Sequence, residues 1–193
     1  MTVVASNYAR AENDLYQTEP WATEALLRRV PVLDERVWEP AAGNHLMADV
    51  LREAGAKVFT SDIKTYGREH DQVFDFLNGI HGGSRSFFES IITNPPYGKG
   101  NRDAVRFAEL ALERCDGIVA LLLTAKFDFG KTRTHLFRDN ARFLEKIVLL
   151  DRIQWFPSKT SGTEDHAWYI WGKSRRLTCY PIVTYEGKSN DVA

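Results

Sequence analysis

The sequence predicts a single α/β domain, in which helices cover both faces of a mostly parallel β-sheet. Short apolar runs alternate with amphipathic segments of helical period along most of the chain, as expected of β-α-β units. Polar residues stand directly where several of the apolar runs stop. With 193 residues, of which 44% are hydrophobic and 26% charged, the chain has the size and composition of one globular domain.

Helices and strands follow one another in a nearly regular order. Apolar residues at helical spacing predict helices at 20–29, 46–53, 102–115 and 134–144. Apolar or β-branched runs predict strands at 36–39, 57–61, 73–74, 88–93, 117–123, 145–153, 166–171 and 177–185. Because the last strands follow one another without a helix between them, we expect an antiparallel strand at the edge of a Rossmann-like sheet. Residues 1–15 are expected to form a polar arm and residues 186–193 a flexible tail.

Charge and cysteine content favour neither a membrane nor a metal. The net charge is −1; residues 1–100 carry 10 Lys/Arg against 14 Asp/Glu, and residues 101–193 carry 15 against 12. No apolar run could cross a bilayer, and the first residues lack the apolar stretch of a secretory signal. Cys115 and Cys179 show no zinc-type spacing. We therefore expect reduced thiols in a cytoplasmic protein without a bound metal.

Four of the predicted strands are followed by a polar residue that could serve a ligand. These residues are Glu39, Asp62, Asp75 and Asn94. In an open parallel sheet, ligands bind beyond the carboxyl ends of the strands, at the point where the strand order reverses. We therefore expect these four side chains to contribute to one binding site.

The run Asn94-Pro95-Pro96-Tyr97 directly after a strand carries the strongest chemical signal. Two prolines fix the backbone and remove two donors, which leaves the Asn94 side-chain oxygen and the Pro95 carbonyl as acceptors in a rigid turn. An amino nitrogen conjugated to a ring or carbonyl is a weak nucleophile. Acceptors placed on its hydrogens return electron density to the nitrogen as it becomes tetrahedral, and so act as preorganised electrostatic catalysts. Tyr97 offers a flat face on which an extruded base could stack.

This run resembles the [Asn/Asp/Ser]-Pro-Pro-[Tyr/Phe/Trp] signature of the amino-methyltransferases. A second segment, from Val37 through Gly43 (Val-Trp-Glu-Pro-Ala-Ala-Gly), is similar to the cofactor motif of the same family. The resemblance implies a class I methyltransferase fold with a seven-stranded sheet, S-adenosylmethionine as cofactor, and transfer of its methyl group to a nitrogen. Catalysis would fall to Asn94, Pro95, Pro96 and Tyr97. The cofactor would contact Glu39, Pro40, Ala41 and Gly43 at its methionine end, Asp62 at the ribose, Asp75 at the adenine and Asn94 near the methyl group.

Two positions depart from the family pattern. The N-terminal motif usually has a Thr-Pro pair that closes over the methionine end, whereas here Glu19 separates Thr18 from Pro20, with Trp21 following. By this resemblance Thr18 and Trp21 would also contact the cofactor. The cofactor motif usually has a second glycine two residues after the first, but here His45 stands in that place. A wider loop, a histidine that caps the next helix, or a histidine that faces the cofactor would each be compatible with the sequence.

The order of the motifs is that of one class of DNA adenine-N6 methyltransferases, and the C-terminal segment resembles small phage and prophage enzymes of this type. We therefore expect duplex or single-stranded DNA as the partner, with the target base flipped onto Tyr97. Too few residues follow Leu123 for a large recognition domain, so we expect a short or relaxed target sequence. Methylation of an RNA base, methylation of a protein glutamine, and a non-catalytic cofactor-binding adaptor are the alternatives.

Several cations stand near the predicted site or in loops that leave the same edge of the sheet. Loops that combine cations with glycine, serine, threonine or aromatic residues suit contact with phosphates. The candidates for contact with the nucleic-acid backbone are Lys99, Arg102, Lys126, Lys131, Arg133 and Lys159.

Overall fold

The computed structural model describes residues 16–79, 85–155, 164–173 and 181–188. In the described residues, the α-helices are α1 (Pro20–Leu27), α2 (Leu46–Glu53) and α3 (Arg102–Arg114). The strands are β1 (Arg36–Glu39), β2 (Lys57–Asp62), β3 (Gln72–Val73), β4 (Ser90–Thr93), β5 (Ile118–Thr124), β6 (Phe143–Leu149), β7 (His166–Trp171) and β8 (Ile182–Glu186). Short 3-10 helices lie at Lys99–Asn101, Phe127–Phe129 and Lys131–Arg133.

The described strands form one sheet in the order β3-β2-β1-β4-β5-β7-β6-β8. The α/β class and the mostly parallel sheet are confirmed, but two details of the prediction are wrong. The sheet has eight strands and not seven, because β8 adds a strand beyond β6. The antiparallel strand, β7, lies between β5 and β6 and not at the edge, while the edge strand β8 runs parallel to β6.

Both faces of the sheet are covered. Along β5, Leu121 and Leu123 belong to one core cluster together with the buried face of α3, whereas Leu122 belongs to a second cluster together with α1 and α2. This division follows from the strand itself, since successive side chains point to opposite faces. In β7 the same alternation places Trp168 and Trp171 on opposite faces, so the two tryptophans pack into different core clusters.

The predicted helix at 134–144 is also wrong. The structure has consecutive turns up to Asn140, and β6 begins at Phe143. The Asn140 side chain accepts a hydrogen bond from the Arg142 amide (2.9 Å), which favours a turn over a continuing helix. The helix in α1 ends at Leu27, earlier than expected.

The predicted flexible segments lie mostly outside the described residues. The arm at 1–15 lies there entirely, and so does 189–193. The start of the predicted tail is an error, because Glu186 completes β8 and its carboxylate pairs with Arg28 (2.7 Å). The Lys188 amide then donates to Asp151 (2.8 Å).

Candidate functional site

A cleft of about 370 Å³ opens beyond the carboxyl ends of β1, β2 and β4. The order of the strands reverses between β1 and β4, since the chain moves from β1 outward to β2 and β3 and returns to place β4 on the other side. This is where ligands bind in such sheets. The lining includes most of the residues that the sequence assigned to a cofactor: Thr18, Glu39, Pro40, Ala41, Gly43, Asp62, Asp75 and Asn94.

Glu39 ends β1 at the floor of the cleft and is almost completely buried (2% exposed). Its Oε2 atom accepts no hydrogen bond from any residue that the structure describes. Burial raises the pKa of the Glu39 carboxyl well above its usual value, although the nearby Arg52 acts in the opposite direction. A buried carboxyl with a free oxygen at the wall of a cleft is suited to a cationic ligand that would restore its charged form.

Asp62 ends β2 and ties the two neighbouring loops together. One carboxylate oxygen accepts from the Gly43 amide (2.9 Å), and the other accepts from the Ile63 amide (2.7 Å). Gly43 has a positive φ of 50°, which glycine adopts at little cost and which turns its N–H toward Asp62. Burial raises the pKa of Asp62, and these backbone donors partly offset the effect.

Asp75 lies at the far end of the cleft and folds its own turn. It accepts from the amides of Leu77 (2.9 Å) and Asn78 (3.1 Å), an Asx-type arrangement that fixes the backbone after β3. The apolar part of the lining comes from residues that the sequence reasoning did not single out: Ile63, Tyr66, Phe74, Phe76, Leu77 and Phe107. Ile63 and Phe76 directly follow Asp62 and Asp75 in the sequence, so an apolar residue next to each of these acids could have identified this part of the lining.

Asn94 follows β4 and brings an unpaired acceptor to the cleft. Its Nδ2 donates to the Tyr16 carbonyl (3.3 Å), whereas its Oδ1 is buried and has no partner in the described parts of the chain. Pro96 also lines the cleft, and Pro95 is buried beside it. A buried amide oxygen without a donor costs stability, so its retention next to a cleft points to a ligand donor.

Tyr97 does not line the same cleft, and a hydrogen bond to the neighbouring strand β5 holds its ring in place. Its hydroxyl donates to the Leu122 carbonyl in β5 (3.2 Å). Three ring contacts then lead around Asn94: Tyr97 to His166 (centroids 6.3 Å apart), His166 to Trp155 (5.1 Å) and Trp155 to Tyr16 (5.7 Å). We refer to Tyr97, His166, Trp155 and Tyr16 as the aromatic wall. Sequence reasoning found only Tyr97, because the other three residues come from distant parts of the chain.

His166 in the aromatic wall is buried (2% exposed), and its Nδ1 has no partner among the described residues. Burial lowers its pKa to about 4, so the ring is neutral at physiological pH. The wall is therefore neutral at His166, and the Tyr97 and His166 rings lie within 30° of parallel, whereas the other two contacts are edge-on (76° and 71°).

The N-terminal motif reaches the cleft only in part. Thr18 is buried (4% exposed) and lines the cleft, as do Tyr16 and Gln17. Trp21 does not line it: its indole nitrogen donates to the Glu19 carboxylate (3.0 Å), and its ring packs against the α1 side of the core. The assignment of Trp21 to the cofactor therefore has no support in the geometry.

No family model matches the sequence, and no curated protein sequence matches it. Similar solved structures exist at low sequence identity. A protein from Pyrococcus horikoshii provisionally described as an RNA methyltransferase has a TM-score of 0.69 at 16% identity, covering 87% of this chain and 92% of that one. A class I S-adenosylmethionine-dependent methyltransferase, provisionally so described, from Listeria monocytogenes has a TM-score of 0.55 at 12% identity, covering 90% and 64%.

A third similar structure is the modification subunit of a provisionally described type I restriction enzyme from Vibrio vulnificus. Its TM-score is 0.59 at 14% identity, over 90% of this chain and 47% of that one. The fold is that of the class I methyltransferases. Within that fold, β7 inserted antiparallel between β5 and β6 is an interior strand, and β8 extends the sheet.

The cations proposed for nucleic acid are not equivalent. Lys99 stands exposed at the rim of the cleft, and Arg102 donates to the Lys99 carbonyl (3.2 Å). Lys126 and Lys131 are exposed. Arg133 is engaged within the protein, since it donates to the Phe127 carbonyl (2.5 Å) and lies over the Phe127 ring (4.6 Å). Lys159 lies outside the described residues.

One exposed aromatic residue stands among these cations and was not singled out from the sequence. Phe129 is 75% exposed, in the loop that follows β5. Lys146 Nζ lies 5.4 Å from the centre of the Phe129 ring. Because Lys146 also forms a salt bridge with Asp128 (2.9 Å), the ring packs against a side chain that is held in place.

Two expected absences concern only the described part of the chain. There, no group of three or more His, Cys, Asp or Glu side chains could hold a metal ion. None of the described helices has the length and apolar character needed to cross a membrane. Cys115 is a buried free thiol, and Cys179 lies outside the described residues.

Proposed function

We propose that this protein is an S-adenosylmethionine-dependent methyltransferase that methylates the exocyclic N6 of adenine in DNA. The observation that carries the proposal is the buried, unpaired Oδ1 of Asn94 at the edge of the cleft, in an Asn-Pro-Pro-Tyr turn directly after β4. A polar atom left unpaired at such a place is expected to be completed by substrate.

The cleft fits the cofactor. Glu39 offers a free buried oxygen for the ammonium of the methionine part, and the Asp62 carboxylate is placed for the ribose hydroxyls. The apolar lining from Ile63, Phe76 and Phe107 suits the adenine ring. When bound, the cofactor would supply an electrophilic methyl group on a sulfonium, which is a good leaving group.

The turn residues would then activate the target nitrogen. Asn94 Oδ1 and the Pro95 carbonyl would accept hydrogen bonds from the amino hydrogens, which strengthen as positive charge develops on nitrogen. Preorganisation supports this assignment: the two prolines fix the turn, and Asn94 Nδ2 is anchored on Tyr16. A strong general base is not required, because the amino group becomes acidic once it is methylated and positively charged.

The aromatic wall favours a flat heterocycle as the target. Tyr97, His166, Trp155 and Tyr16 form consecutive ring contacts around Asn94, and the Tyr97 ring is fixed by its hydroxyl. Base–aromatic stacking contributes about 1–3 kcal/mol per base, whereas a flexible glutamine side chain would gain little from such a surface. This arrangement supports a nucleobase over the protein glutamine alternative, and the unpaired Asn94 acceptor beside the cofactor cleft disfavours a non-catalytic cofactor-binding adaptor.

DNA as the carrier of the base is supported by exposed Lys99, Lys126 and Lys131, with Phe129 among them. Phosphates are the partners expected for such cations, and an exposed ring can stack on an unpaired base. An RNA base is the second candidate, favoured by the similarity to the Pyrococcus horikoshii protein over nearly its whole length. The similarity to a restriction-modification subunit favours DNA.

Methyl transfer from labelled S-adenosylmethionine tests the proposal. Duplex DNA, single-stranded DNA, RNA and a protein extract would be supplied separately, with Asn94→Ala as the background control. We expect label in DNA that is lost with Asn94→Ala. Label only in RNA would favour the second candidate, and label only in protein would contradict the nucleobase assignment.

A further inference from the structure

We propose that His45 and His70 are positioning residues that hold the segment 63–70 as one wall of the cofactor cleft, and that they do so only while the buried His45 ring is neutral. The inference rests on the proposed cofactor site but not on the identity of the methylated substrate. His45 Nε2 and His70 Nδ1 are 2.8 Å apart, and their ring centroids are 4.9 Å apart.

The two rings join the loops that carry Gly43 and Asp62. His45 follows the loop after β1 and occupies the N-cap position of α2, whereas His70 ends the segment that follows β2. Ile63 and Tyr66 of that segment line the cleft. A change in the histidine pair would therefore move residues that face the cofactor, although neither ring belongs to the cleft lining.

The backbone of His45 has a conformation that favours glycine, the residue that the family usually has at this position. His45 has φ 67° and ψ 18°, in the left-handed region, and its side chain caps nothing. A non-glycine residue in this conformation costs about 1 kcal/mol or more. The ring is nevertheless buried (3% exposed), and its contact with His70 is the interaction that can offset this conformational cost.

The hydrogen bonds determine which nitrogens carry protons. His70 Nε2 lies 3.2 Å from the Lys64 carbonyl, which can only accept, so Nε2 carries the hydrogen. In a neutral ring His70 Nδ1 then accepts from His45 Nε2–H. This leaves His45 Nδ1 as a bare acceptor, which is buried and has no partner in the described residues.

Acid should break this arrangement. A proton on His45 Nδ1 would place an uncompensated charge in a buried position. Burial, followed by the cations Arg68 and Arg52 and by His70, lowers the pKa of His45, while Asp49 acts in the opposite direction. The titratable and charged groups around the pair are Asp49 and Arg52 of α2, Lys64 and Arg68 of the segment 63–70, and Asp62 at the end of β2.

The sign of the pH effect follows from linkage. Below the ordinary histidine pKa of about 6.5, a His45 ring freed from the pair binds a proton, whereas burial opposes that proton in the joined state, so the joined state loses stability as pH falls. The segment has two other ties to the α2 side: Asn44 accepts from the Gly67 amide (2.8 Å), and Asp49 pairs with Arg68. Burial also raises the pKa of Glu39 and of Asp62 in the cleft, so the pH effect is assigned to His45 by comparing the wild type with histidine variants that keep both carboxyls.

The test measures binding of S-adenosylhomocysteine, the demethylated product of the cofactor, by calorimetry at pH 5.5–8, with no nucleic acid present. The wild type should bind about 3- to 10-fold more weakly at pH 5.5 than at pH 7.5. His45→Gly and His70→Ala should bind about 3- to 10-fold more weakly at pH 7.5, and their further loss in acid should be smaller than that of the wild type, because only the contribution of the cleft carboxyls remains. His135→Ala is the matched control, because that histidine is exposed and paired with Glu109 away from the cleft.

Thermal unfolding separates positioning from mere stabilisation. His45→Gly relieves the left-handed backbone, so its Tm should be unchanged or higher while its cofactor affinity falls. Histidine ring NMR of the ligand-free protein should show His45 protonated at Nε2 alone at pH 7.5, and gaining its second proton at a lower pH than an ordinary histidine. Equal or tighter binding by His45→Gly, or a wild-type pH profile in both variants, would overturn the proposal while leaving the cofactor site intact. Absence of binding by the wild type would overturn the cofactor assignment and this inference with it.

Discussion

Replacing Asn94 by alanine should remove catalysis while leaving the protein folded. The side chain makes one long hydrogen bond, from Nδ2 to the Tyr16 carbonyl (3.3 Å), and its Oδ1 has no partner in the part of the chain that the structure describes. Loss of the bond costs about 0.5–1.5 kcal/mol, and removal of a buried unpaired acceptor offsets this by about 1–3 kcal/mol. The two effects nearly cancel, so Tm should change by no more than about 4 °C.

The effect on the chemical step should be much larger. Removing one preorganised hydrogen-bonding group from a charge-stabilising site costs about 10²–10³-fold in rate. We expect this loss in single-turnover methyl transfer, with S-adenosylhomocysteine affinity retained within about threefold because Glu39 and Asp62 are unchanged. Asn94→Asp keeps an acceptor at the same position and should lose less activity than Asn94→Ala. A rate within a few-fold of wild type for Asn94→Ala, or a fall in rate that only matches a fall in stability, would refute the reasoning.

Three further predictions concern neighbouring parts of the site. Glu39→Gln should raise Tm at pH 7–8, because burial raises the Glu39 pKa and ionisation of this carboxyl costs stability as pH rises above about 4.5. Calorimetry should nevertheless show about tenfold or greater loss of cofactor affinity for this variant. Tyr97→Phe removes the hydroxyl that donates to Leu122 but keeps the ring, so it should retain DNA affinity, whereas Tyr97→Ala should weaken binding of DNA with an unpaired target adenine by about 1–3 kcal/mol in fluorescence anisotropy. Lys131→Ala should lower the salt dependence of DNA binding by about one charge without changing Tm. Arg133→Ala should instead lower Tm, because Arg133 bonds to and covers the buried Phe127. Equal effects of the two substitutions would contradict this distinction.

The sequence predicted the cleft better than it predicted the sheet. Glu39, Asp62, Asp75 and Asn94 were found because each lies at or within two residues of the end of a strand, and parallel strands present their carboxyl ends at one edge. The position of β7 could not be found in this way. Consecutive strands in sequence indicate antiparallel pairing, but whether β7 lies at the edge or between β5 and β6 depends on packing between distant segments.

The missed residues share a physical reason. His166 and Trp155 reach the Asn94 region only because β7 runs antiparallel and starts at the edge where β5 ends, with His166 opposite Thr124. Tyr16 arrives through its backbone carbonyl, which no side-chain pattern reveals. The helix predicted at 134–144 failed because a local hydrogen bond from the Arg142 amide to the Asn140 side-chain oxygen competes with helical hydrogen bonding.

The most direct test of the central claim is the identity of the methylated nucleoside. Duplex DNA would be treated with wild-type protein and S-adenosylmethionine carrying a deuterated methyl group, digested to nucleosides and analysed by mass spectrometry beside the Asn94→Ala reaction. The account predicts deuterated N6-methyladenine with the wild type and about 10²–10³-fold less with the variant. A label on a ring carbon or ring nitrogen, or equal N6-methyladenine from both proteins, would contradict the assignment of Asn94 and Pro95 to an exocyclic amino group.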